Sequence, residues 1–518
     1  MQNTIMDTHW DTIVIGSGMG GMSCANALAR TGEKVLVLEQ HYLAGGMTHT
    51  FQRKGFLWDV GVHAMGEMSP KRLPGKLVRW MSDGKLEMNN YGKVYDTFNF
   101  PGGMKFELPD SRHQFRQNLI QAFPQEVAAI DRYLELVNQV GKTARSHFTC
   151  RNLAPWGEKV LRPLIARQFD HWAGKTTSEV INQLTNNPQL RAVLVGQWGY
   201  YGLPPSQSSF FIHAVTVRHF WEGGYYPKGS AKVMAETLLN PVKERGGAVE
   251  LRCEVSHYLM HKDQVIGVVT KKGEELRAKR VVSSIGARTS LYLLPPQYRD
   301  QKWCQQIEAL PQGPAHVCLY IGVEGDVRAA GGTESNQWFF ETWDYEKCFW
   351  NVDKNETEAP VLYTSFPSLK DPEHDAGPKQ KHTVEVVTFA PYESFKQWDQ
   401  TRWGKRPEEY QAFKDKLEGQ MLAQLWKHLP KLKDISVYHE FSTPLSTVHY
   451  CRTLHGAIYG LAPTPERFKC QALRPKTPIK GLYLSGQDIG TLGVVGAMMG
   501  GFLTAAHLRP TLFKQLMQ

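Results

Sequence analysis

Residues 11–39 constrain the fold of this chain more tightly than any other segment. Asp11-Thr-Ile-Val-Ile15 is a short apolar run rich in β-branched residues and reads as a buried strand. Gly16-Ser-Gly18-Met-Gly20-Gly21 follows at once, then a helical stretch over 22–30, a second strand over 34–38 and the acid Glu39. Strand, G-x-G-x-x-G, helix, strand, acid is the order of a dinucleotide-binding βαβ unit. Gly16 makes the tight turn, Gly18 lets the backbone approach a pyrophosphate, and Gly21 lets helix pack on strand. The helix N-terminus favours the phosphate charge. Glu39, 18 residues after Gly21, is placed to accept from ribose hydroxyls, which favours FAD or NAD over NADP.

The next residues favour FAD. Gln40-His-Tyr-Leu-Ala-Gly45-Gly46-Met47-Thr48-His carries a glycine pair just past the acid. It resembles the FAD signature of the amine oxidase and phytoene desaturase superfamily, in which small residues allow close approach to the flavin end. Gly55-Phe-Leu-Trp-Asp59-Val-Gly61-Val-His63 resembles that superfamily's segment beside the isoalloxazine ring. Residues 246–255, 265–269 and 275–286 read as three short strands with a Lys-Lys-Gly turn at 271–273. The resemblance implies that this block returns to the nucleotide sheet, with Val255 on the adenine side and Gly286 closing over the cofactor. Gly481-Leu-Tyr-Leu-Ser-Gly486-Gln-Asp488 reads as a strand before a helix. Asp488 can accept from ribityl hydroxyls, and the helix start at Val494 and Val495 can aim N–H groups at the flavin.

Over nearly its whole length the chain resembles the phytoene desaturase, carotenoid isomerase and retinol saturase group of flavoproteins, and within it the retinol saturase branch. The residues that carry this are Gly196-Gln-Trp-Gly-Tyr-Tyr-Gly-Leu-Pro-Pro205, Gly223-Gly-Tyr-Tyr-Pro227-Lys-Gly229, Gly456-Ala-Ile-Tyr-Gly460, Leu484-Ser-Gly-Gln-Asp488 and Gly493-Val-Val-Gly-Ala497. The resemblance implies an α/β fold: a Rossmann-type FAD-binding domain of the glutathione reductase-2/amine oxidase kind with an inserted α+β substrate domain. The FAD domain is expected in the pieces 1–70, 223–299 and 441–518, and the substrate domain in 71–222 and 300–440. The implied activity is FAD-dependent oxidoreduction at C–C or C=C bonds of a hydrophobic polyene or isoprenoid lipid, as saturation, desaturation or isomerisation. Two departures stand out. Animal retinol saturases carry a secretory leader, whereas residues 1–10 lack a basic stretch followed by an apolar one, and Ser230 follows Gly229 where many relatives have another glycine.

Composition narrows the rest. Of 518 residues, 42% are hydrophobic and 21% charged, enough for a large core and more than one structural unit. The eight scattered cysteines form no CxxC pair and no metal-ligand cluster, so neither a disulfide scaffold nor a metal is expected, and the lack of a signal-peptide pattern in residues 1–10 points to a reducing, cytoplasmic setting. The uncharged run 489–508 is long enough to span a membrane, but its glycines favour a buried helix of the FAD domain. No second G-x-G-x-x-G appears, so an external electron donor or acceptor is expected unless the reaction is redox-neutral.

The net charge of +10 has a local source. Lys142, Arg145, Arg151, Lys159, Arg162, Arg167 and Lys175 interleave with Trp156, Trp172 and aliphatic residues. A basic amphipathic stretch over 142–175 fits peripheral contact with the anionic inner face of a membrane, as readily as a solvated face over the protein's own core. Nothing resembles a nucleic-acid-reading motif. Candidate proton carriers are His63 and Glu67, with Tyr226, His213 and Tyr450 behind them. Two other readings stay open: a flavin enzyme of fatty acyl chains, and a non-catalytic lipid carrier on a FAD fold. An amine oxidase reading lacks a counterpart of the covalent-flavin cysteine beyond Cys451 and Cys470, and an aromatic amine cage near Gly486.

Overall fold

The computed structural model describes residues 9–354 and 356–517. The expectation of a chain without a leader falls on residues 1–10, of which 1–8 lie outside the described residues.

Apolar side chains on both faces of Trp10–Ile15 put that strand in the middle of a sheet. It runs parallel to Val35–Leu38 on one side and Glu275–Ser283 on the other. Ala248–Glu250 extends the sheet beyond Val35–Leu38, and Leu482–Leu484 pairs in parallel with Glu275–Ser283. An antiparallel pair, Val255–His261 and Gln264–Thr270, joins at the other end of Glu275–Ser283. Every strand of this sheet falls within 1–70, 223–299 or 441–518. The block from 246 to 286 contains four strands, not the expected three. Its first stretch breaks after Glu250, where Arg252 takes a left-handed φ of 55° and the amides of Arg252 and Cys253 donate to the carbonyls of His41 and Glu39. The chain thereby leaves the parallel sheet and enters the antiparallel pair.

The glycine-rich run becomes the helix Gly493–Leu508, packed across Met19–Ala29. The glycines let backbone meet backbone. A Cβ on Gly500 would lie 2.1 Å from the Gly486 carbonyl oxygen, and one on Gly501 2.2 Å from that of Gly20. Among the described residues, no helix is long and apolar enough to cross a membrane.

A second sheet runs in the order Ser436–Ser442, His316–Glu324, Lys381–Phe389, Val361–Ser365, Asn336–Phe340, Val94–Phe100, Met104–Pro109. All its pairs are antiparallel except Asn336–Phe340 with Val94–Phe100. Two strands depart from the expected divisions: Ser436–Ser442 runs past residue 440, and Tyr225–Pro227, just past residue 222, pairs with Met88–Asn90.

Residues 142–175 form not one amphipathic helix but the end of Val127–Asn152, then Pro155–Ile165 and Arg167–Ala173. Pro155 starts the second helix at a position where a missing N–H costs nothing. Two of the seven bases turn inward. Arg151 and Arg162 lie 3.4 and 2.9 Å from the buried carboxylate of Glu158, which Arg474 also contacts. The opposite face of Pro155–Ile165 leaves Trp156 77% and Leu164 76% exposed, with Val160, Leu161 and Ile165 exposed beside them.

Candidate active site

The glycines of the first loop divide into two kinds. Gly16 turns with φ +91° and touches Ile285, where a Cβ would come within 2.9 Å of the Ile285 side chain. Gly20 and Gly21 are sealed by backbone: added Cβ atoms would lie 2.4 Å from the Gly486 Cα and 1.9 Å from the Gly16 carbonyl oxygen. Gly18 differs. It caps Met19–Ala29 with no side-chain hydrogen bond, and a Cβ there would meet nothing within 4 Å. Free helix-start amides above open space form a cradle for a pyrophosphate. Gly46 closes one side, since its Cβ would lie 2.9 Å from the Gly18 Cα.

Glu39 is fixed at the end of its strand. One carboxylate oxygen accepts from the Ser17 amide (2.9 Å) and hydroxyl (2.6 Å), the other from the His41 amide (2.8 Å). Ser17 was not evident from the sequence, although it occupies the variable position of the glycine loop. Asp488 is buried and accepts from the amides of Ala287 (2.7 Å) and Leu461 (2.9 Å), one on each oxygen. A carboxylate has further lone pairs to offer, and Asp488 lines the cavity.

One cavity connects these parts. Gly16, Gly18, Gly20, Glu39, Gly45, Gly46, Met47, Thr48, Val255, Gly286, Gly486, Asp488 and Val494 line it. Gly21 and Val495 do not: Gly21 packs helix on strand, and Val495 is half-buried on the helix. The open Gly18 cradle, the fixed Glu39 and the helix start near Val494 are the groups that would hold FAD. Beyond that trough the same cavity opens into a chamber walled by Tyr200, Trp338, Tyr363, Phe389 and Tyr459, with His63 and His316 at its polar side.

Behind His63 lies a buried network. Its Nδ1 is 2.8 Å from Glu385 Oε2, at an angle short of a full hydrogen bond. Glu385 Oε1 accepts from the Asp59 amide at 2.8 Å. The Tyr226 hydroxyl donates to Asp59, and the Ala231 amide donates to its other oxygen at 3.3 Å. Lys370 donates to the His63 carbonyl and the Ser365 hydroxyl, both at 2.7 Å, and to Asn336. Burial dominates the charges. It pushes Asp59 up to about 7, with repulsion from Glu385 adding to it, and Glu385 up to about 8. It pulls Lys370 down to about 7 and His63 down to about 4, the latter helped by Lys370.

The other expected proton carriers stand elsewhere. Glu67 is off the cavity: its left-handed φ of 54° turns the chain away, and its carboxylate sits 3.2 Å from His219. Tyr226 is buried behind Asp59 and does not line the cavity. His213 is buried between the hydroxyls of Tyr133 (2.9 Å) and Tyr201 (3.2 Å). Tyr450 lines the cavity, packed against His41 near the Glu39 end.

A family model described as flavin containing amine oxidoreductase matches residues 19–509. The chain belongs to this family. It is thus a FAD-dependent oxidoreductase. The flavin oxidoreductase is 33% identical to the all-trans-retinol 13,14-reductase of Danio rerio, over 95% of this chain and 84% of that protein. It is 25% identical to prolycopene isomerase 1, chloroplastic, of an Oncidium hybrid cultivar, over 96% of this chain and 83% of that one. Among solved structures, the cyclohexylamine oxidase of Brevibacterium oxydans IH-35A superposes with a TM-score of 0.61 at 17% identity, covering 99% of this chain and all of that one. At that identity the likeness is one of fold.

Proposed function

We propose that the flavin oxidoreductase saturates a C=C bond of a conjugated isoprenoid polyene that it takes from a membrane surface. The observation that carries this reading is the continuity of one cavity from the Gly18 cradle to an aromatic chamber in which one of the imidazoles, His63, has a buried acid against its Nδ1. Flat aromatic walls suit a rigid conjugated chain and leave its polar hydrogen-bonding needs small. Saturation needs a hydride and a proton. Bound FAD supplies the hydride. The chain supplies orientation through Tyr200, Trp338 and Tyr363, and the proton through His63. An acid held protonated near neutral pH behind His63 suits delivery of a proton better than its removal. Relatives named as reductases of all-trans-retinol support the same direction.

The test uses the FAD-loaded enzyme, reduced chemically without oxygen and mixed separately with all-trans-retinol, a poly-cis carotenoid and an unsaturated fatty acid. A polyene product heavier by two hydrogens is expected. A product that is only an isomer, or conversion of the fatty acid alone, overturns the reading.

The membrane contact falls to the exposed face of Pro155–Ile165, where Trp156, Val160, Leu161, Leu164 and Ile165 lie beside the exposed bases Lys159 and Arg167. That pairing of apolar and cationic side chains matches an anionic lipid interface. The Glu158 cluster fixes the helix from behind. A variant carrying Trp156→Glu and Leu164→Glu loses two large apolar contacts, each worth about 1.5–3 kcal/mol when buried. Its affinity for vesicles of phosphatidylserine and phosphatidylcholine is expected to fall about a hundredfold or more, with its flavin spectrum unchanged. Cosedimentation equal to the parent protein overturns this placement.

A further inference from the structure

The strand Lys381–Phe389 carries a carboxylate in an otherwise buried apolar stretch. Its side chains alternate. Val384 and Val386 pack into the core on one face, while Val387 and Phe389 line the cavity on the other. Glu385 shares that second face but stops short of the cavity, fully buried, with His63 in between. Among the described residues neither His63 Nδ1 nor Glu385 Oε2 has a hydrogen-bond partner. Among the described residues no protein group bonds His63 Nε2, and the ring lines the chamber. The groups that face Glu385 are Asp59 from the strand Phe56–Asp59, His63 from the loop after it, Tyr226 from the strand Tyr225–Pro227, Lys370 from the helix Pro367–Lys370, and Cys318 and Tyr320 from the adjoining strand His316–Glu324.

We propose that Glu385 is the positioning residue of His63: it keeps Nε2–H toward the cavity and replaces the proton that His63 delivers. The inference rests on the polyene-saturation reading. As His63 Nε2–H breaks and a substrate C–H bond forms, the Glu385 O–H breaks and Nδ1–H forms. The electron pair of the new C–H bond comes from the substrate carbon made electron-rich by the hydride, which is drawn from the reduced cofactor. His63 begins and ends neutral, in its two tautomers, so the buried ring never holds the charge that burial opposes. The negative charge moves to Glu385, where the Asp59 amide donates to it. A proton taken up from solvent at the cavity-facing Nε2, with the Nδ1 proton returning to Glu385, then restores both groups.

The test compares the parent enzyme with Glu385→Gln and Glu385→Asp, all FAD-loaded and reduced, with all-trans-retinol as probe. Glu385→Gln is expected to slow single-turnover reoxidation about a hundredfold and to remove the alkaline fall of its pH profile. Glu385→Asp, which keeps the acid but shortens its reach, is expected to retain that fall at a rate between the two. Infrared spectra without substrate give an activity-independent readout: a protonated-carboxyl band at neutral pH, lost in Glu385→Gln and shifted in His63→Phe. A parent-like rate and pH profile in Glu385→Gln, or a spectrum unchanged by that substitution, overturns the assignment. Should the parent leave all-trans-retinol unreduced, the functional reading fails, and the infrared band alone decides the state of Glu385. Should Glu385→Gln fail to fold, Glu385→Asp and the parent spectrum decide it: no protonated-carboxyl band in the parent, or no pH-dependent fall in Glu385→Asp, overturns it.

Discussion

Gly18→Val is expected to purify as a folded but colourless chain, whereas Gly21→Val is expected to lose both flavin and stability. The two glycines are three residues apart in one loop, yet their surroundings are opposite. Gly18 has an ordinary φ of −62°, and a Cβ there would meet no protein atom within 4 Å. Valine therefore costs the fold little, but it fills the space through which the pyrophosphate reaches the amides of Met19–Ala29. At Gly21 the added Cβ would sit 1.9 Å from the Gly16 carbonyl oxygen. The helix has no room to retreat, because Gly501 of Gly493–Leu508 already packs against the Gly20 carbonyl on its far side. The clash is with backbone on both sides, so a cost at or above the about 1–3 kcal/mol usual for overpacking is expected. Visible absorbance gives flavin content, and a urea titration with the midpoint read by tryptophan fluorescence gives stability. Normal flavin content in Gly18→Val would remove that glycine from the cofactor site. A parent-like midpoint in Gly21→Val would mean that the loop relaxes where the packing says it cannot.

Such contrasts explain what the sequence made legible. The βαβ unit was readable because its chemistry is local: the turn, the cradle and the acid all lie within residues 11–39. The glycine-rich run was readable as a buried helix for a related reason, since glycines at close spacing allow backbone contact whatever partner supplies it. Glu67 misled because sequence proximity to His63 suggested spatial proximity, and a single left-handed residue reverses that direction. Glu385 and Lys370 went unseen because strand pairing and a short helix bring them to His63 from more than 300 residues away. One signal for Glu385 was present: a carboxylate inside Val-Glu-Val-Val, where neighbours on both sides call for burial. An ionisable group in such a run must find a partner or lose its charge. The basic stretch 142–175 was readable in composition but not in direction, because only the fold turns Arg151 and Arg162 inward onto Glu158 and leaves Trp156 and Leu164 outside.

His63→Phe is expected to keep its flavin and to slow reoxidation of the reduced enzyme by all-trans-retinol by about 10²–10⁴-fold, the usual contribution of a positioned proton donor. Phenylalanine preserves the flat ring that meets Tyr363 edge-on, with centroids 5.4 Å apart, so the chamber wall survives while both nitrogens go. The pH profile separates a proton donor from a mere wall. His63 itself is held near 4 by burial, so its own charging falls below the working range. Asp59 and Lys370, both near 7, also have transitions in that range, but of the three it is Glu385, raised by burial to about 8, that lies against the His63 ring nitrogen. Below that value the acid is present and the rate is flat; above it the acid is lost and the rate falls, tenfold per pH unit for one ionisation. Removing the imidazole breaks the path from Glu385 to the cavity, so His63→Phe is expected to be slow and pH-independent across the same range. A variant that is slow but keeps the alkaline fall would place another group between Glu385 and the substrate, and one that reoxidises at the parent rate would remove His63 from the reaction. His316 is the other alternative, since it also lines the chamber, yet burial holds it near 4. Among the described residues His316 Nδ1 has no hydrogen-bond partner and no carboxylate paired with it as Glu385 is with His63, so a His316→Phe change is expected to leave the alkaline fall in place.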